Sequence, residues 1–180
     1  MRSKVTCTAE TFTGELIALL IAQLDLSVLV LLGGREGLAE DLAGAAVPQG
    51  YEPRAHAGTW ADAGGSDLVI VDAIDQDTGK EIAQRCAGAV VIVATPTPVT
   101  DVQRLLEATR LPRARIVGAP VEGAGPITAA AHAVALYDAV VRDRRRILQA
   151  AVQVLGDKGA GDGVALRDAR IGSGGVQAIL

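Results

Sequence analysis

The chain has 180 residues, which is enough for one domain, or one domain with a small appendage, around an adequate buried core. Its net charge of −4 excludes the broad basic surface of a nucleic-acid-binding protein. Hydrophobic residues make up 49% of the chain and aromatic residues only 2%, so Val, Leu, Ile and Ala must fill the core. That composition is typical of helices that cover both faces of a parallel sheet.

The sequence also indicates where the protein resides. Its most apolar stretch, residues 16–32, is interrupted by polar residues and is shorter than the about 20 apolar residues of a membrane span. Residues 1–10 lack the apolar region of a secretory signal. Cys7 and Cys86 have neither CxxC nor metal-ligand spacing, which favours reduced thiols. We therefore expect a cytoplasmic protein that binds neither membrane nor nucleic acid.

Short apolar runs alternate with helical stretches along the first two thirds of the chain, which predicts βαβ units and a parallel sheet. We predict strands at residues 4–8, 27–32, 54–58, 67–71, 89–94 and 115–118, and helices at 14–23, 78–87 and 99–109. After a glycine-rich joint at 122–125, we predict a long helix over 127–144 and strands at 147–155 and 164–171. The predicted fold class is α/β, a Rossmann-like, doubly wound parallel sheet over residues 1–120, followed by a smaller part over 121–180.

The turn after the first strand has the position, but not the residues, of a dinucleotide-binding turn. The usual pattern is G-x-G-x-x-G, with an acid at the end of the second strand that binds the ribose. The three glycine positions are Ala9, Thr11 and Gly14, and the acid position is Gly33. Ala9 replaces the glycine of the tight bend, and the β-branched Thr11 stands where the backbone should approach pyrophosphate. Gly33 has no group that can bind a ribose hydroxyl.

Other side chains at this turn leave alternatives open. One hypothesis is that Glu10, or the hydroxyl of Thr11 or Thr13, occupies the amide donors that a phosphate would otherwise take. The alternative is that Glu10 points to water. Arg35 could suggest a 2′-phosphate, but with this turn we interpret it as a solvated charge.

Two charged clusters elsewhere have both a functional and a structural interpretation. Asp72, Asp75 and Asp77 follow the fourth strand, where carboxylates could bind a hard cation, but we favour a solvated turn. The four arginines within residues 142–146 could contact an anion, although such a run is more often a helix C-terminus. We predict no metal site.

Two ordered groups of motifs resemble the malate/lactate dehydrogenase family, and together they cover most of the chain. They are DAGGSD at 62–67 and LPRARIVG at 111–118, then RDRRRIL at 142–148, LRD at 166–168 and IGSGGV at 171–176. The resemblance implies that residues 121–180 are a shortened remnant of the dehydrogenase C-terminal catalytic domain. It also implies NAD(H) as cofactor and assembly into a homodimer or tetramer, or pairing with an authentic dehydrogenase.

The chain departs from that family where the chemistry takes place. Relative to the family, residues are missing between 71 and 89 and between 118 and 123, which removes the substrate-binding arginines and the segment with the catalytic histidine. Neither of the two histidines of this chain, His56 and His132, aligns with the catalytic histidine of the family. Thr95 stands where the family has an asparagine that contacts cofactor and substrate, although a Thr before Pro also suits a turn.

These departures predict an oligomeric or partner-binding pseudoenzyme with no catalytic residues and no bound cofactor. The alternative is an NAD(P)-dependent oxidoreductase or nucleotide sensor with altered ligand preference, which would use Thr95 and the aspartates at the carboxyl ends of the strands.

Overall fold

A computed structural model describes residues 2–52, 54–120, 123–154 and 163–180. The strands are β1 (Ser3–Thr8), β2 (Ser27–Leu32), β3 (Ala55–Gly58), β4 (Leu68–Val71), β5 (Val90–Val93), β6 (Ile116–Gly118), β7 (Arg146–Val154), β8 (Gly163–Gly172) and β9 (Gly175–Ile179). The helices are α1 (Phe12–Leu24), α2 (Leu38–Gln49), α3 (Thr78–Arg85), α4 (Pro98–Thr109) and α5 (Pro126–Val141), with a 3₁₀ turn at Arg113–Arg115.

All of these strands belong to one sheet, in the order β3-β2-β1-β4-β5-β6-β7-β8-β9. β1 to β6 are parallel, and the strand order changes direction between β1 and β4, which are direct neighbours. Cys7 of β1 is level with Ile70 of β4, so both strands end at the same edge. Doubly wound sheets bind ligands at such a switch point. The predicted α/β doubly wound class is confirmed.

The C-terminal residues continue this sheet. β7 pairs antiparallel with β6 through Gly118 and Ala151, and β8 and β9 follow as antiparallel neighbours. The sheet therefore crosses the division that we predict at residue 120.

Both faces of the sheet are buried, as the apolar strands predict. On β2, Leu29 and Leu31 pack into a cluster with α1, α2 and α5, while Val30 and Leu32 pack into a second cluster with α3 and α4. The hydroxyls of Tyr137 on α5 and Ser27 on β2 lie 2.9 Å apart in this interior. Among the described helices, none combines the length and the hydrophobicity needed to cross a membrane.

Three features differ from the sequence prediction. α2 and β9 were not predicted, because α2 contains Gly44 and Pro48 and β9 follows a glycine-rich turn. The predicted long helix over 127–144 ends at Val141, because Asp143 and Arg145 adopt left-handed φ angles of 46° and 50° that a helix cannot contain. Residue 155, the predicted end of β7, and residue 122 lie outside the described residues.

A glycine pair tests the packing of the helices. A Cβ on Gly79 of α3 would lie 2.6 Å from the Ala108 Cβ of α4, so Gly79→Ala should lower the free energy of unfolding by about 1–3 kcal/mol. Gly44→Ala adds a Cβ with no atom within 4 Å and should raise it by about 0.5–1 kcal/mol through helix propensity. Urea unfolding measures both, and equal effects would contradict close α3–α4 packing.

Candidate functional site

Asp72, the first residue after β4, is the central side chain at the switch point. It is only 2% exposed, and its Oδ1 accepts a hydrogen bond of 2.6 Å from the Thr8 hydroxyl. Its Oδ2 accepts bonds from the backbone N–H of Thr11 (2.7 Å) and the Thr11 hydroxyl (2.6 Å). The Glu10 N–H adds a longer bond of 3.4 Å to Oδ1, and the Asp72 N–H donates to the Thr8 hydroxyl oxygen at 3.0 Å. Hydrogen bonds from one segment, residues 8–11 at the end of β1 and in the turn after it, therefore hold the carboxylate.

The bonds to Asp72 come from the place where a dinucleotide fold presents its phosphate donors. The β1–α1 turn and the start of α1 direct N–H groups and the positive end of the helix dipole toward an anion. Here an internal carboxylate supplies that anion. Our hypothesis was that Glu10, or the hydroxyl of Thr11 or Thr13, binds these donors. The Thr11 hydroxyl does cap the helix, because it accepts from the Gly14 N–H at 3.2 Å. The turn amides, however, donate to Asp72.

The interpretation of Asp72 as a solvated turn residue is therefore wrong. The signal that could have revealed its role is topological: Asp72 ends a strand whose neighbour ends at Thr8, so their side chains meet at one edge. In the sequence the three aspartates form a local cluster, which gives no sign that Asp72 meets the end of β1.

Gly14 remains glycine because Asp72 packs against it. A Cβ on Gly14 would lie 2.2 Å from the Asp72 Oδ2 and 2.9 Å from the Thr8 carbonyl oxygen. The other two glycine positions need no glycine, since neither Ala9 nor Thr11 has a positive φ; Thr11 is extended at φ −119°.

Glu10 turns away from the amide donors and lies beside Gly33. Its Cγ is 3.0 Å from the position that a Cβ on Gly33 would occupy. Partial desolvation, followed by the negative charges of Asp72 and Asp75, raises the pKa of the Glu10 carboxyl. The turn therefore carries a second carboxylate at the position where a ribose would approach.

The other two aspartates have separate positions. Asp75 closes the turn before α3, because its Oδ1 accepts from the N–H groups of Asp77 (3.0 Å) and Thr78 (2.7 Å) and from the Thr78 hydroxyl. The hydrogen bonds from Thr78 lower the pKa of Asp75. Within the ranges that the structure describes, no three His, Cys, Asp or Glu side chains are arranged to hold a metal ion.

Thr95 does not offer its hydroxyl to the cleft. It is 3% exposed, and its Oγ donates a 2.6 Å bond to Asp101 of α4, which also accepts from Thr97 at 3.0 Å. The hydroxyl thus fixes the turn between β5 and α4, in agreement with the structural interpretation of a Thr before Pro.

The cleft at the switch point is a cavity of about 370 Å³. Among the described residues, its lining contains one carboxylate and no imidazole or guanidinium; the residues are Thr11, Thr13, Asp72, Ala94, Pro96, Gly123, Ala124 and Ala129. His132 borders a separate cavity of about 150 Å³, where its Nδ1 is 2.9 Å from the Pro120 carbonyl oxygen. His56 is exposed on the edge strand β3.

The remaining charged candidates form ion pairs. Arg35 lies 2.5 Å from a carboxylate oxygen of Asp41 and 3.4 Å from one of Glu15. In the arginine run, three side chains surround Asp138 near the end of α5, at 3.2 Å (Arg142), 3.1 Å (Arg144) and 3.7 Å (Arg146). This agrees with the helix C-terminus interpretation of the run.

Comparison with known proteins gives the fold. No family model and no curated protein match the chain, whereas solved structures match along its whole length. A lactate dehydrogenase from Cryptosporidium parvum, in complex with lactic acid and nicotinamide adenine dinucleotide, has 16% identity and a TM-score of 0.87 over 100% of this chain and 90% of its own. The malate dehydrogenase from Aeropyrum pernix has 20% identity and a TM-score of 0.87, over 98% and 89%. This chain therefore has the fold of the malate and lactate dehydrogenases.

Asp72→Asn tests the central hydrogen bonds. An amide cannot accept at both oxygen positions, so its NH₂ group must face either a backbone N–H or the Thr8 hydroxyl. We expect the free energy of unfolding to fall by about 1–3 kcal/mol, which urea unfolding measures. An unchanged stability would mean that these bonds do not hold β4 to the β1–α1 turn.

Glu10→Gln tests the crowding of carboxylates. The pKa of Glu10 is raised in the folded chain, so ionisation of Glu10 opposes folding above that pKa, and this penalty falls to zero only below the ordinary pKa of the unfolded chain. Glu10→Gln should therefore be more stable than the parent chain at pH 7, and the difference should decrease as the pH falls through the raised pKa. Urea midpoints measured from pH 7 to pH 4 check this; a difference that grows toward low pH would contradict it.

Proposed function

We propose that this chain is a dehydrogenase-fold pseudoenzyme that acts as an oligomeric or partner-binding protein and does not transfer hydride. The observation that carries the proposal is the Asp72 carboxylate on the Thr11 and Glu10 amides. A dinucleotide phosphate in this place would have to displace a buried, multiply hydrogen-bonded anion and would meet its negative charge.

The chemistry of the cleft supports the same conclusion. Oxidation of a 2-hydroxy acid needs a base for the hydroxyl proton and a cation that fixes the carboxylate, for which a planar arginine is best suited. The part of the 370 Å³ cavity lining that the structure describes provides neither an imidazole nor a guanidinium. His132, bonded to the Pro120 carbonyl in another cavity, does not replace the base.

Two further parts of the proposal rest on resemblance and chemistry. The dehydrogenases of this fold suggest a homodimer, a tetramer or pairing with an authentic dehydrogenase. The two free, buried cysteines, Cys7 and Cys86, are consistent with the cytoplasm as the compartment.

The second candidate function is an NAD(P)-dependent oxidoreductase or nucleotide sensor with altered ligand preference. It is favoured by the cavity at the switch point, which is large enough for part of a nucleotide. NAD(H) is the ligand to test first, because the Cryptosporidium parvum neighbour holds nicotinamide adenine dinucleotide.

An NADH fluorescence titration, combined with malate and lactate assays, distinguishes the two. We expect the parent chain to give neither saturable binding nor turnover, because Asp72 holds the phosphate donors. Micromolar NADH binding with turnover would establish the second candidate instead.

The same titration on variants tests the cause. Asp72→Ala combined with Thr11→Gly should gain measurable NADH or pyrophosphate binding, because it frees the turn amides and removes the β-branched side chain. Asp75→Ala is the matched control, since it removes a carboxylate from the same loop, with its hydrogen bonds in the turn before α3, without touching these amides. Equal behaviour of the two variants would contradict occlusion by Asp72.

A further inference from the structure

A groove lies between α1 and α2, and it shares no lining residue with the cleft at the switch point. Two apolar stripes line it, each at i, i+4 and i+7 along its helix: Phe12, Leu16 and Leu19 on α1, and Leu38, Leu42 and Ala45 on α2. Its volume is about 280 Å³, and Glu15, Arg35 and Asp41 complete the lining. We call it the α1–α2 groove.

Part of this apolar lining already packs in the core, since Leu38 and Leu42 are 6% and 3% exposed, but the Phe12 side of the groove remains open to solvent. α1 buries Ile17 and Ile21 in the core, yet its other face carries the groove stripe. Phe12 is the only phenylalanine of the chain, and it is 63% exposed at the mouth of the groove. A helix that is apolar on nearly all sides normally packs against something on each of them.

The charges around the α1–α2 groove favour a basic partner. The groove lining and its chain neighbours over residues 35–41 contain four acidic residues, Glu15, Glu36, Glu40 and Asp41, and one basic residue, Arg35. Arg35 already lies between Glu15 and Asp41, whereas Glu36 and Glu40 are exposed. The field around the groove therefore attracts cations and would steer a basic partner toward it.

We propose that the α1–α2 groove binds a basic amphipathic helix of a partner protein. Two parallel stripes at helical spacing accept the apolar face of a third helix, and the acidic surroundings pair with its basic flanks. A second copy fits less well, because a two-fold axis would place this acidic face against itself. The inference rests on the partner-binding role proposed above and specifies its surface.

A labelled peptide tests the groove. The probe is an amphipathic helix of about 18 residues, or five turns, with leucines at i, i+4, i+7 and i+11 and lysines on its flanks. Its control has the same leucines with glutamates in place of the lysines. Fluorescence anisotropy with the full chain should show saturable binding of the lysine peptide, weakened by salt, and no binding of the glutamate peptide.

Matched variants then locate the contact. Phe12→Ala should weaken binding of the lysine peptide by about tenfold or more, as for an aromatic anchor. Val47→Ala, which removes an 81% exposed side chain of α2 outside the groove lining, should leave binding unchanged. Glu36→Lys with Glu40→Lys should weaken binding and flatten its salt dependence, and circular dichroism checks that all variants fold.

Three results would overturn the inference: no binding of the lysine peptide, equal binding of both peptides, or equal effects of Phe12→Ala and Val47→Ala. A dimer in sedimentation that dissociates on Phe12→Ala, without peptide binding, would assign the groove to a second copy. None of these results bears on NADH, whose binding and turnover by the parent chain would overturn the proposed pseudoenzyme instead.

Discussion

The organisation of the switch point depends on one interaction, the bonds that the Asp72 carboxylate accepts from the β1–α1 turn. An ionised carboxylate away from water is tolerated only when donors surround it, and here the Thr8 and Thr11 hydroxyls and two backbone N–H groups do so. The amides at a helix N-terminus are in turn left without partners unless an anion or water satisfies them. The carboxylate thus obtains the donors that it needs, and the turn N–H groups obtain an acceptor.

Other features of the turn follow from that interaction. Gly14 has to lack a side chain because the carboxylate lies against its Cα, whereas Ala9 and Thr11 are tolerated because the turn has no left-handed residue there. Glu10, next to the same anion, is directed toward Gly33, where its carboxyl has a raised pKa. Glycines in this turn normally allow a phosphate to approach; the one that is kept here makes room for a side chain of the protein itself.

The proposed function places the binding surface outside the cleft at the switch point. The scaffold of a dehydrogenase remains, with its parallel sheet and both faces covered, because apolar packing maintains it independently of any ligand. The acidic α1–α2 face, with an exposed Phe12, is built on the helix that follows the turn held by Asp72. Rigid placement of α1 by the core and by Asp72 would therefore also fix the surface that we assign to a partner.

The sequence by itself determined the α/β alternation, most of the strands, the loss of two glycines at the first turn and the fold that its motifs resemble. These follow from local patterns, since apolar runs and turn residues act over a few neighbours. α2 was missed because Gly44 and Pro48 lower its local propensity, which tertiary packing of Leu38 and Leu42 overrides. Only the tertiary structure decided the role of Asp72, because its donors lie more than 60 residues away in sequence and meet it solely through the pairing of β1 with β4.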